Sequence, residues 1–206
     1  MLRLYNVATY GPPGTLLGMK VGVIAIQGDF DKHREALLRA STADLEVIEV
    51  RTPEELSGVD RAILPGGEST TVGLLMERYG LGNALRQAGK AGMPLWGTCM
   101  GMIMLASDIE DRKQYTLGLL DISVKRNAFG TQVHSFEDEV TVRGLSEPVT
   151  GVFIRAPVVT RIGPSTEVLA EYEGKIVAVK QGKIIGTSFH PELTDDVRMH
   201  EWFLKL

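Results

Sequence analysis

Along the first half of the chain, short apolar runs alternate with longer stretches in which apolar residues recur every three or four positions. From Lys20 the run VGVIAIQG is nearly all apolar and largely β-branched, the pattern of a strand buried on both faces, and it ends at Gly28. A helical period follows through Ala40, which Asp29 or Asp31 can cap, and Leu45 to Val50 reads as a second strand. Arg61 to Leu64 is a third strand, ending in Pro65, Gly66, Gly67, Glu68, Ser69 and Thr70, with Ser69 or Thr70 placed to cap the next helix. Helical patterns over Val72 to Arg78 and Leu81 to Lys90 lead to a fourth apolar run at Pro94, Leu95 and Trp96, and the residues after Gly101 read as a helix. Such alternation predicts an α/β fold with a doubly wound, mostly parallel sheet flanked by helices.

After Ala106 the pattern changes to short strands: Leu119 to Lys125, Glu139 to Val142, Val152 to Ile154, Val158 to Ile162, Val168 to Tyr172, Ile176 to Gln181 and Ile184 to Phe189. Turns at Glu173–Gly174 and Gln181–Gly182 predict hairpins, so antiparallel strands are added to the sheet in the C-terminal half. Asp195 and Asp196 can cap a final amphipathic helix through Leu206. Residues 1–18 are different, because Gly11, Pro12, Pro13, Gly14 and Gly18 break any period and no basic n-region or continuous apolar core of a signal peptide is present. The expectation is a poorly ordered extension over residues 1–18 and a single domain over residues 19–206.

Composition narrows the classes. The 206 residues, 44% hydrophobic, are enough for one domain with a sizeable core. No apolar stretch reaches the roughly 18 residues of a membrane span. A net charge of −4 with basic residues scattered along the chain gives no footprint for nucleic acid. A single cysteine excludes an intramolecular disulfide and a multi-cysteine metal site, so a reducing cytoplasm is expected and neither metal nor cofactor is.

That cysteine is also the centre of the candidate chemistry. Cys99 stands between a strand and a helix in Gly97-Thr98-Cys99-Met100-Gly101, the arrangement of a nucleophile elbow, in which the flanking glycines allow a sharp turn. A helix N-terminus beside the thiol favours an anion there, and the Met100 N–H lies where an oxyanion would form. The competing reading makes Cys99 a small buried hydrophobe. Of His33, His134, His190 and His200, only His190 ends an apolar strand pattern, and Glu192 follows it across Pro191. A carboxylate there can fix the imidazole tautomer, so Cys99, His190 and Glu192 form a candidate triad. His33, His134 and His200 read as residues on solvated helix or loop faces. Gly67 is a candidate second oxyanion donor, against the simpler reading of Gly66–Gly67 as a tight connection. Arg126 and Arg155 each follow an apolar strand and need a carboxylate or water; a structural ion pair is the alternative to a binding role. Gln27 stands at a strand end, where it can bond a rearranging Gly67 loop or simply cap local backbone.

The motifs GVIAIQGDF (22–30), LPGGEST (64–70), PLWGTCMGMI (94–103), KRNAFGTQVHSFE (125–137), FIRAP (153–157) and SFHPELTDD (188–196) stand in one order from Met19 onward. Together they resemble the class I (triad-type) glutamine amidotransferases, and within them the glutaminase subunits of pyridoxal 5′-phosphate synthase. The Cys99 and His190–Glu192 motifs alone point only to the broad superfamily, including the glutaminase of imidazole glycerol phosphate synthase. AIQGDF, RNAFG and FIRAP point to the vitamin B6 branch. A non-enzymatic thiol sensor of similar fold would leave His190, Pro191 and Glu192 without a reason. The resemblance implies a class I glutaminase (flavodoxin-like) fold, hydrolysis of L-glutamine, and ammonia delivery to a (β/α)8 synthase partner. It further implies that Arg126, with Gly67, Glu68 and Ser69, lines the glutamine pocket, that the backbone of Ile154 and Arg155 contacts glutamine, and that Gln27 lies at the docking surface. The free subunit is expected to be poorly active, its oxyanion hole being completed on docking. Thr131 and His134 stand where the family usually has Arg and Asp, which bears on interface contacts more than on catalysis.

Overall fold

The computed structural model describes residues 18–41, 44–128 and 135–206. The proposed extension, apart from Gly18, lies outside the described residues, as do Thr131 and His134. The chain order begins β1 (Met19–Ile24), α1 (Phe30–Ala40), β2 (Leu45–Val50), α2 (Pro53–Leu56), β3 (Arg61–Leu64), α3 (Ser69–Arg78), α4 (Leu81–Lys90), β4 (Leu95–Thr98) and α5 (Met100–Leu105). It continues with β5 (Ala106–Ile109), β6 (Leu120–Lys125), β7 (Phe136–Val140), β8 (Val149–Phe153), β9 (Val158–Ile162), β10 (Glu167–Tyr172), β11 (Lys175–Gln181) and β12 (Ile184–Thr187), then a 3₁₀ turn (Pro191–Leu193) and α6 (Arg198–Leu204).

The main sheet runs in the order β2-β1-β3-β4-β12-β11-β9-β6-β5, with β10 paired to β11, and β7 and β8 form a separate ribbon. From β2 to β12 neighbouring strands are parallel, whereas β11 is antiparallel to β12, β10 and β9. The expected parallel sheet with antiparallel additions is therefore the fold. Successive residues of the parallel strands feed opposite faces: Leu95 joins a core with α3, α4 and α5, while Trp96 joins a core with α1 and α6. Strands buried on both sides must be apolar at nearly every position, which is why these runs lack a polar alternation.

Some boundaries differ from the expectation. The last strand stops at Thr187; the Ser188 N–H still donates to Val177 O of β11 at 2.8 Å, and the His190 N–H then turns to Val152 O of β8 at 2.8 Å. Helix α6 starts at Arg198 and ends at Leu204, with Asp196 Oδ1 accepting the Arg198 N–H at 3.1 Å. Helix α2 was not expected; Thr52 and Glu55 close a reciprocal capping box around Pro53. Strand β5 was also missed, since Ala106–Ile109 carries only four residues and exposes its middle two. Among the described residues no helix is long and apolar enough to cross a membrane.

Parallel register places the chemistry. Leu64 pairs with Gly97, and Thr98 with Thr187, so the segments after β3, β4 and β12 leave the sheet side by side at its C-terminal edge. That edge is where open α/β sheets collect ligands.

Candidate active site

Cys99 turns the chain from β4 into α5 with φ +50° and ψ −103°, a conformation that L residues rarely adopt. Two constraints hold it there. The Cys99 N–H donates to Thr187 O at 2.7 Å, and Gly101 lies so close to the Leu64 carbonyl that a Cβ would overlap it. The thiol thus sits beside α5, whose first N–H, that of Met100, has no intrahelical acceptor. Its Sγ lies 3.8 Å from the Ile154 carbonyl oxygen, to which the S–H can donate.

His190 is buried beside Cys99 and donates its Nδ1–H to Glu192 Oε1 at 2.7 Å, a tautomer assigned from the carboxylate partner. This leaves Nε2 for the thiol. Burial alone would lower the His190 pKa, but hydrogen bonds and charge from Cys99 and Glu192 outweigh it and hold the ring above the usual histidine value. The ring is also gripped from the side, because a Cβ on Gly66 would run into its Cε1. Gly66 therefore serves close packing against the imidazole, and the neighbouring Gly67 remains the one facing the cavity.

Glu192 is 2% exposed. Burial would raise its carboxyl pKa, yet His33 and His190 hold it below the ordinary value. Burial pushes His33 down and keeps that ring neutral near pH 7, so the charge opposing Glu192 comes from the His190 imidazolium. The structure here corrects the expectation for two histidines. His33 and His200 are both 0% exposed, packed against Trp96 with ring centroids at 5.7 and 4.9 Å. His33 lies on the inward face of α1 with Ala36, Leu37 and Ala40, and His200 on that of α6 with Met199, Phe203 and Leu204. Helical spacing at i, i+3, i+4 and i+7 was the signal that could have found the first.

A cavity of about 330 Å³ opens over Cys99 and His190, a volume within the range of small-molecule sites. Its walls include Gln27, Gly67, Glu68, Ser69, Met100, Arg126, Ile154 and Arg155, so these residues, separated by up to 128 positions, are brought to one place. Glu192 stands behind His190, outside the wall. Asp29, Ile103 and Asn127 also line the cavity and were not singled out from the sequence. Two larger surface clefts, about 720 and 800 Å³, contain neither Cys99 nor His190.

Side chains around the cavity have definite partners. Arg126 is half-buried, with Nη1 3.5 Å from Ser69 Oγ and 3.4 Å from Gln114 Oε1, and its Nε is 3.9 Å from Asp111 Oδ2. That loose ion pair leaves the guanidinium facing the cavity. Glu68, not Ser69 or Thr70, caps α3: its carboxylate accepts the Thr70 and Thr71 N–H groups at 3.0 and 2.8 Å, which holds its pKa down at about 2. A longer side chain one position earlier reaches the same donors. Gln27 is exposed and its Oε1 accepts the Glu68 N–H at 3.0 Å, tying the end of the β1 segment to the Gly67 loop. Arg155 takes φ +47° just after the Ile154 carbonyl that meets the thiol.

Comparison with known proteins adds an independent line. The chain matches the SNO glutamine amidotransferase family over residues 23–206. It is 51% identical over 189 residues to the pyridoxal 5′-phosphate synthase subunit PdxT of Streptomyces avermitilis, covering 90% of this chain and 92% of that protein. To the protein of the same name from Herpetosiphon aurantiacus it is 50% identical over 193 residues, covering 91% of this chain and 100% of that protein. A crystal structure of a glutamine amidotransferase, 48% identical, superposes with a TM-score of 0.82 over 90% of this chain and 97% of that one.

Proposed function

Because this chain belongs to the SNO glutamine amidotransferase family, we propose that it is the glutaminase subunit of a pyridoxal 5′-phosphate synthase, hydrolysing L-glutamine to L-glutamate and ammonia. The observation that carries the chemistry is the strained Cys99 elbow, with the His190–Glu192 pair on one side and the 330 Å³ cavity on the other. The long matches to synthase subunits favour this branch over a glutaminase of another pathway.

An unactivated primary amide resists hydrolysis, and a covalent intermediate divides its barrier in two. The Cys99 thiolate attacks the glutamine side-chain carbonyl carbon, and the oxyanion forms against the Met100 N–H, with the Gly67 N–H as second donor. His190 imidazolium gives its proton to the departing nitrogen, releasing ammonia. The neutral imidazole then takes a proton from water, which attacks the thioester and frees glutamate. Glu192 keeps the ring in the required tautomer and balances its charge. Arg126 and Ser69 receive the polar end of glutamine, while the Ile154–Arg155 backbone and Glu68 complete the wall. Ammonia passes to a (β/α)8 synthase subunit, and the protein acts in the cytoplasm. Gln27 sits at the docking surface, where its bond to the Glu68 N–H can couple partner binding to the Gly67 loop. Residues 1–18 precede a strand that already has its full apolar pattern and are dispensable; a chain starting at Met19 should keep its melting temperature and its stimulation by the synthase.

The test is ammonia release from glutamine, with and without the synthase partner. Activity that rises on adding the partner and vanishes in Cys99→Ala supports the assignment. Turnover retained by Cys99→Ala above a few per cent rejects the mechanism.

A further inference from the structure

The triad rests on a second layer of buried polar groups that the reaction above does not use. Behind Glu192, His33 Nε2 lies 3.4 Å from Glu192 Oε2 and 3.0 Å from Thr98 Oγ1, and His33 Nδ1 lies 3.1 Å from His200 Nε2. All four residues are 0–2% exposed. A buried polar atom without a partner costs about 1–3 kcal/mol, so the proton positions follow from which arrangement strands fewer groups. Glu192 Oε2 and His200 Nδ1 have no hydrogen-bond partner, so the 3.4 Å approach of His33 Nε2 to Glu192 Oε2 is an electrostatic contact and not a hydrogen bond.

If His33 carried its proton on Nδ1, it would donate to His200 Nε2. A lone pair on Nε2 would then lie 3.4 Å from the ionised Glu192 Oε2 and repel it, and the His200 proton would be forced onto the unpartnered Nδ1. If His33 carries its proton on Nε2, that N–H donates to Thr98 Oγ1 and keeps its positive end within 3.4 Å of Glu192 Oε2, while Nδ1 accepts the His200 Nε2–H. His200 Nδ1 then keeps a lone pair among aromatic rings, and Glu192 Oε2 faces a positive N–H end in place of a second lone pair. The second arrangement is the better satisfied.

The geometry points to His33 as a positioning residue of the catalytic site, its Nε2–H, donated to Thr98 and 3.4 Å from Glu192 Oε2, attracting that oxygen so that Oε1 stays aimed at His190, with His200 locking the His33 tautomer. This assignment deepens the glutaminase reading and rests on it. A carboxylate bonded at one oxygen can swing about its Cγ–Cδ bond; attraction of the other oxygen to a fixed N–H dipole resists that swing. The α1 and α6 helices, far from Cys99 in sequence, thereby contribute to the orientation of the base. Burial keeps both histidines neutral, so the anchor adds no charge to compete with the imidazolium.

The experiment compares His33→Leu, which removes the donor but keeps an apolar filler, with His33→Gln, whose amide nitrogen reaches roughly where Nε2 stands. Each is assayed with the synthase partner, well below its melting temperature, for kcat and KM on glutamine, and separately for the pH profile of Cys99 alkylation by iodoacetamide. Expected for His33→Leu are a kcat lowered about ten- to a hundredfold, the scale of a misplaced catalytic group, a KM within twofold, and an alkylation midpoint moved to higher pH. His33→Gln should recover most of both. If His33→Leu does not fold, His200→Phe, which removes the tautomer lock, should move the alkylation midpoint in the same direction. The assignment is overturned if His33→Leu turns over and alkylates like the wild type, or if His33→Gln is equally defective with losses that track melting temperature. Wild-type protein that fails to hydrolyse glutamine beside its partner would sink the glutaminase reading alone, since the alkylation profile still judges His33.

Discussion

Replacing His200 by phenylalanine isolates the contribution of one buried neutral histidine to acid stability. Burial lowers the His200 pKa from 6.5 to about 3. The folded protein therefore keeps this ring neutral while the unfolded chain takes up a proton below pH 6.5. The stability it contributes is complete above that value and is lost as pH falls toward 3. Between pH 7 and pH 5 the unfolded state gains about 2 kcal/mol from this protonation, and His33, lowered in the same direction, adds to it. His190, whose pKa is raised, acts in the opposite sense, its stability growing as pH falls from the alkaline side to 6.5. Comparing wild type with His200→Phe cancels that contribution, along with the packing change of the new ring against Trp96 and Phe203. Urea unfolding at the two pH values is the assay. With a slope of about 2 kcal/mol per molar urea, the wild-type midpoint should fall by about 1 M more than that of the variant. Equal losses in both proteins would mean that His200 is not a neutral buried group, and the reasoning would fail with it.

Other perturbations test the site from its remaining sides. Gly66→Ala drives a methyl group into the His190 ring, so it should cost about 1–3 kcal/mol of stability and lower kcat more than tenfold; near wild-type turnover would contradict the packing described. His190→Asn should be nearly as damaging as loss of Cys99, whereas Glu192→Gln should leave partial activity, because it removes charge and orientation but not the proton acceptor. A silent Glu192→Gln would require another orienting group. Gln27→Ala should weaken partner-stimulated turnover far more than the low basal rate, read by ammonia release and by calorimetry of docking; equal loss in both rates argues for a local role only.

Which parts of this were legible beforehand follows from what an apolar pattern reports. The parallel strands and the Cys99 elbow were readable because each is specified within a few residues: a β-branched run, two glycines flanking a cysteine, a histidine at a strand end. Helix α2 was equally local, its Thr52-x-x-Glu55 capping box written in the sequence and simply passed over. The cap of α3 went to Glu68 for a reason no composition rule ranks, namely that its longer side chain reaches both donors from the position the loop geometry leaves free.

The histidines show where a local reading stops. His33 reads as lying on a solvated face by the general preference of histidine for partly exposed sites, although its spacing with Ala36, Leu37 and Ala40 on α1 is that of a buried stripe. What settles the competition is a partner from a distant element, because a buried imidazole is tolerated when both nitrogens can be matched. Thr98 arrives from β4, Glu192 from the turn after β12, and His200 from α6. None of these meetings is encoded in the spacing around residue 33. They exist because β4 and β12 pair in register, Thr98 against Thr187, and because α1 and α6 pack on the same face as Trp96. The same pairing that delivers Cys99 and His190 to one edge thus also builds the polar floor beneath them, so a catalytic pair that is visible in the sequence carries with it a supporting layer that only the assembled sheet reveals.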